Sequence, residues 1–61
     1  METLISRAAR VISVYMGIGG MTEREAKTET WLALIEAGID SEDAFLAVSA
    51  AMILVRDRAE V

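Results

Sequence analysis

Gly17-Ile18-Gly19-Gly20-Met21-Thr22-Glu23-Arg24-Glu25, in one-letter form GIGGMTERE, decides how this chain is read. Three of its four glycines fall inside this stretch. A glycine-rich turn ahead of a helix can cradle a phosphate on free backbone amides. Such a loop normally leaves a β-strand, and nothing before Gly17 alternates like one. The two carboxylates of the first turn, Glu23 and Glu25, would repel an anion. Thr22 and Glu25 instead form the capping-box pattern, in which each side chain satisfies a backbone amide of the other's residue. The stretch therefore reads as a plain turn: Gly17 ends one helix, the chain reverses, and Thr22 starts the next. The same glycines would also serve as a hinge if the first helix exchanged onto a neighbouring subunit.

Working outward, Leu4, Ile5, Ala8, Ala9, Ile12, Tyr15 and Met16 recur at three- and four-residue spacing ahead of the turn. They fill one side of a helix, and Ser6, Arg7, Arg10 and Ser13 fill the other. Val14 falls on the polar side. Beyond the turn, Met21 and Ala26 flank the cap as a weak hydrophobic staple. Gly38 suits the left-handed position that closes the second helix, with Ile39 folding back over its last turn. Asp40 or Ser41 then caps a third helix, whose positive end favours Glu42 and Asp43. With no proline and abundant Ala, Leu, Met and Glu, the chain predicts an all-α fold. Its three helices should span about 3–16, 23–37 and 41–59, as a single domain over residues 1–61.

Sixty-one residues bury only about 60% of the surface that the unfolded chain exposes, so such a domain is marginal without reinforcement. There is no cysteine for a disulfide and no histidine for a zinc site or a general base. Yet 54% of the residues are hydrophobic and mean hydropathy is +0.40, an excess that reads as interface. The third helix carries it. Phe45, Val48, Met52, Val55 and Ala59, with Ala44 and Ala51, make one apolar face for the core. Leu46, Ala50, Ile53 and Leu54 make a second stripe nearly opposite, while Ser49, Arg56 and Glu60 lie on one flank. Three short helices cannot surround their own third member. The second stripe is thus expected to be a homodimer seam that completes a helical bundle, or else a docking surface for another protein.

On the second helix, Trp31, Leu34 and Ile35 form an apolar face with Leu32 at its edge. Extended toward the N-terminus, that face meets Arg24, Lys27 and Thr28. Either these first turns project past the core, or the stems of Arg24 and Lys27 cover apolar surface while their heads reach water. Glu25, Glu29 and Glu36 line a neighbouring face. Arg24, Glu25, Lys27, Glu29 and Glu36 are the candidate contacts for an external partner, one with a basic surface. Residues 21–43 carry seven acids and two bases, which concentrates the chain's net charge of −4 there.

Several functions are disfavoured. Without His or Cys, nucleophile-and-base chemistry falls to Ser, Thr, Lys, Tyr and carboxylates. The sole lysine, Lys27, sits among acids, no setting for an amine nucleophile. Glu25 and Glu29 lack the Glu-x-x-His partner of a di-metal bundle, and Asp40-Ser41-Glu42-Asp43 lacks calcium-loop spacing. No catalytic, metal or cofactor site is expected. As a DNA-recognition helix, the third would present Ser41, Glu42 and Asp43 to phosphates, with no base before Arg56. Only Arg7 and Arg10 of the first helix suit a nucleic-acid backbone. The most apolar run, Ala44–Val55, has 12 residues, short of the ~20 that span a bilayer. Glu2 and the lack of a small-residue cleavage pattern argue against a signal peptide, so a cytoplasmic location is expected.

The chain is accordingly expected to be a non-catalytic, acidic helical protein that binds another protein as a regulator, adaptor or inhibitor and acts as a homodimer. Two alternatives are a small transcription regulator that contacts DNA through Arg7 and Arg10, and a structural assembly subunit.

Overall fold

The computed structural model describes residues 2–59, with the Ala59 side chain outside that description. The expected places of Ala59 on the core face and of Glu60 on the flank therefore lie outside the described residues. The described chain is all-helical, with three helices packed together: α1 (Leu4–Gly17), α2 (Glu23–Glu36) and α3 (Ser41–Ala59).

Local chemistry accounts for the start of each helix and for the end of α2. Thr3 caps α1 by accepting the Ser6 amide (3.1 Å). The capping box of α2 is complete: Thr22 Oγ1 accepts the Glu25 amide (3.3 Å), and Glu25 Oε1 accepts the Thr22 amide (3.4 Å) and hydroxyl (3.0 Å). At its other end, Gly38 adopts φ +94°. The Gly38 amide donates to the Ile35 carbonyl (3.0 Å) and the Ile39 amide to the Leu34 carbonyl (3.0 Å). This is the paired 5→2 and 6→1 bonding of a Schellman closure, with Ile39 packed back on the core. Of the two candidate caps for α3, Asp40 is used. Its carboxylate accepts the Glu42 amide (3.1 Å), and its carbonyl accepts the Ala44 amide (2.8 Å).

The first turn divides labour among its glycines differently from the simplest reading. Gly17 is the last helical residue and has open space around it. The reversal falls on Gly20, at φ +64°, and on Gly19, where a Cβ would stand 2.6 Å from the Tyr15 carbonyl oxygen. The Met21 amide closes the turn by donating to that same carbonyl (3.1 Å).

The core is built largely on alanine. Ala8, Ala9 and Ile12 from α1 meet Ala26 and Leu34 from α2 and Ala44, Ala47, Val48, Ala51 and Met52 from α3. Small side chains let helix axes approach closely, which makes dispersion contacts dense but leaves little room for large groups. Two expectations change as a result. Phe45, expected in the core, is 55% exposed. On α2 the buried face is Ala26, Thr30 and Leu34, with Trp31 and Ile35 half-buried at its edge. The first two turns of α2 therefore pack through Ala26 and Thr30 and do not project past the core. Trp31 is too bulky for the gap between α2 and α3 that an alanine fills.

Thr30 is fully buried, and its Oγ1 has no hydrogen-bond partner. A hydroxyl desolvated without a partner is a net cost, whereas an apolar group of the same shape is not. Thr30→Val should therefore raise stability by about 1 kcal/mol, read as a higher Tm by circular dichroism; a lower Tm would mean that the hydroxyl is satisfied in solution. The turn gives a contrast of its own. Gly17→Ala should stabilise by up to about 1 kcal/mol through helix propensity, and Gly19→Ala should destabilise by roughly 1–3 kcal/mol through its clash with backbone. The two melting curves should bracket that of the parent chain.

Candidate functional site

Between α2 and α3 runs an open groove of about 720 Å³. Trp31, Val48, Met52 and Ile53 give it an apolar floor, with Phe45 at one end. On α2 it extends from Glu23 to Trp31, and on α3 from Phe45 to Arg56. At 1.5 Å per residue these edges run roughly 12 and 16 Å, about two and three helical turns.

Its rim is held by contacts that link the two helices. Arg56 donates to both carboxylate oxygens of Glu23, through Nε at 2.9 Å and through a terminal nitrogen at 3.1 Å. This two-point pairing is the geometry that guanidinium and carboxylate favour. The guanidinium hydrogen-bonds the Glu23 carboxylate and holds its pKa below the usual range, and the carboxylate in turn raises that of Arg56. Lys27 lies with its ammonium 5.5 Å from the centroid of the Phe45 ring, within cation–π reach. Its half-buried stem thus covers apolar surface, as one of the two sequence readings expects. Trp31 Nε1 donates to the Ser41 carbonyl (3.2 Å), which ties the middle of α2 to the start of α3. Arg24 is exposed at the rim and forms no ion pair among the described residues.

The five residues expected to meet an external partner do not share one surface. Arg24 and Lys27 border the groove, where three cations meet the single carboxylate of Glu23. Glu25, Glu29 and Glu36 are exposed and line no part of the groove. Part of the Glu25 carboxylate is already committed to the capping box. The four residues of the expected seam divide as well. Leu46 and Ile53 are 59% and 62% exposed, and Ala50 is half-buried. Leu54 instead packs against the core, because it stands a quarter-turn closer to Ala47 and Ala51. Ile53 belongs to the groove as well. Leu46 borders a shallower depression on the α1 side, beside Leu4, Ile5, Ile39, Asp40 and Asp43. Arg7 and Arg10 are exposed on α1, with Arg10 held 2.8 Å from Glu2.

The groove is the feature that sequence reading misses. Glu23 and Arg56 are 33 residues apart, and Lys27 and Phe45 lie on different helices. No local spacing marks such pairs; only the uncovered cations on an otherwise apolar α2 face hint at them.

No protein-family model matches the chain, and comparison with curated proteins and with solved structures returns no significant match. Among the described residues no helix is long and apolar enough to cross a membrane.

The Glu23–Arg56 pair has a pH signature. A depressed carboxylate pKa contributes stability that is present above the unfolded value, ~4.3, and is lost as pH falls through the lower folded value. Glu23→Gln should accordingly melt below the parent chain at pH 6, and the gap should close as pH drops below 4. A gap that persists undiminished in acid would mean that the pair's charge contributes nothing to the fold.

Proposed function

We propose that this chain is a non-catalytic protein-binding module, a regulator, adaptor or inhibitor that acts as a homodimer. The observation that carries the reading is the outer side of α3. There Leu46 and Ile53 stand more than half exposed, while the core beneath is largely alanine. Burying one Leu or Ile side chain is worth about 1.5–3 kcal/mol. A domain that leaves such groups in water, and fills its core with alanine, forgoes stabilisation that a small chain needs. A second copy supplies the missing cover. A two-fold contact opposes the same patch on both subunits, so Leu46 and Ile53 would each be used twice. Ala50 between them lets the two α3 helices approach closely.

The absence of His and Cys from the sequence supports a non-catalytic role by removing the commonest general base and thiol nucleophile. The Arg10–Glu2 pair weakens the case for DNA contact through α1, since one of the two candidate cations is already partnered.

Sedimentation equilibrium across a wide concentration range tests the reading. The parent chain should show dimer mass, and Leu46→Asp should show monomer mass at the same concentration with its helical circular dichroism retained. Met52→Ala, altered inside the core, should lower Tm without abolishing the dimer. A parent chain that stays monomeric throughout would overturn the dimer, and full dimer mass in Leu46→Asp would overturn the α3 seam.

A further inference from the structure

The geometry points to the α2–α3 groove as the seat of an amphipathic helix from another protein, one with apolar anchors on one face and acidic flanks. This rests on the reading of the chain as a protein-binding module and names the partner's chemistry. Three observations carry it.

The first is charge. The chain as a whole is −4, yet the groove lining holds Arg24, Lys27 and Arg56 against Glu23 alone, a local net charge of +2. Half of the six cationic side chains in the sequence thus gather at one apolar groove. An occupant with carboxylates would be drawn there and a basic one repelled; the opposite holds for the outer face of α2, where Glu25, Glu29 and Glu36 lie. Complementary charge of this kind governs encounter and partner choice more than raw affinity.

Shape is the second. Two helices form the walls, and their length of about two to three turns matches an inserted helix with anchors at i, i+3 or i+4, and i+7. The floor of Val48, Met52 and Ile53, with Trp31 and Phe45, supplies what such anchors bury against. Tryptophan and arginine are also the side chains most enriched where binding energy concentrates. An extended nucleic-acid strand would use the cations but not the aliphatic floor, so a helix is the better fit.

Third, the rim cations are available. Arg24 has no partner among the described residues, and Lys27 is held only by the Phe45 ring. Neither borders the Leu46 depression, and Leu46 lines no part of the groove, so substitutions at these residues separate the two surfaces although Ile53 belongs to both.

The test uses the full chain and a display library of helical peptides about four turns long, ~14 residues, randomised at anchor and flanking positions. Selection is against the parent chain, with counter-selection against the double variant Arg24→Glu/Lys27→Glu, whose fold is checked by circular dichroism. Enriched peptides should carry apolar anchors in the i, i+3/i+4, i+7 register with net acidic flanks, and they should shift the emission of Trp31, the only tryptophan. Their affinity should fall about tenfold or more in the double variant and fall as salt rises, and should not fall in Leu46→Asp, where the shared Ile53 is freed from the seam. Enrichment of basic peptides would overturn the proposal, as would no enrichment over the counter-selected variant. Displacement of the peptides by a random-sequence DNA duplex at equal salt would overturn it too, in favour of nucleic acid. A chain that dimerises through Leu46 yet enriches no acidic helix would sink the groove assignment and leave the homodimer standing. A monomeric chain that enriches acidic helices would do the reverse.

Discussion

The close approach of three helices through alanine is the constraint on which the rest of this structure depends. Ala8 and Ala9, Ala26, and Ala44, Ala47 and Ala51 come from all three helices and share one buried cluster. A methyl side chain sets a short distance between helix axes, and at that distance a phenyl or indole ring cannot enter. Among the described residues the large apolar side chains in this cluster are Ile12 and Val48, at most 1% exposed, and Leu34 and Met52, 4% and 5% exposed. Phe45 is therefore displaced to the outside of α3 and Trp31 to the lip of the gap, beside Leu46 and Ile53, which the helical period already turns away from the core. The exposed apolar surface follows from how the core is packed.

That displacement creates the groove, and charge then defines its character. Ala26 and Thr30 turn one side of α2 into the core. The helical period then carries Lys27 and Trp31 to one edge of the buried face, with Arg24 beyond them, and Glu25, Glu29 and Glu36 to the other side. One helix thereby divides its charges: Arg24 and Lys27 face the groove with Glu23 as their one carboxylate neighbour on α2, and Glu25, Glu29 and Glu36 lie away from it. The Glu23–Arg56 pair spans the far end of the groove and couples the start of α2 to the last turns of α3. Both partners are substantially exposed, so the pair contributes more to orientation than to stability. Its two-point geometry fixes where the Arg56 guanidinium stands, and with it one corner of the rim.

Some of this is legible along the chain and some is not. The capping box at Thr22 and Glu25, the left-handed Gly38 with Ile39 folded over it, and the acidic cap of α3 are bonds between residues a few positions apart. Their partners are specified by local spacing, and the structure contains each of them. The apolar face of α1 is legible for the same reason, since Ala8, Ala9 and Ile12 recur at helical period and all three are buried. The α2 face is legible only in part. Hydrophobicity favours Trp31, Leu34 and Ile35, and the packed face rotates toward Ala26, Thr30 and Leu34, because volume governs contact once helices are this close.

Three helices and the caps that open α2 and α3 and close α2 were determined by the sequence alone, since all of them rest on hydrogen bonds and steric limits within a few residues. The tertiary structure alone decided that Phe45 faces outward, that Leu54 packs inward while Ile53 does not, and that Lys27 meets Phe45 and Glu23 meets Arg56. Those outcomes depend on the distance and rotation between helices. That distance is set by the summed fit of side chains from all three helices, and no periodicity within one of them records it.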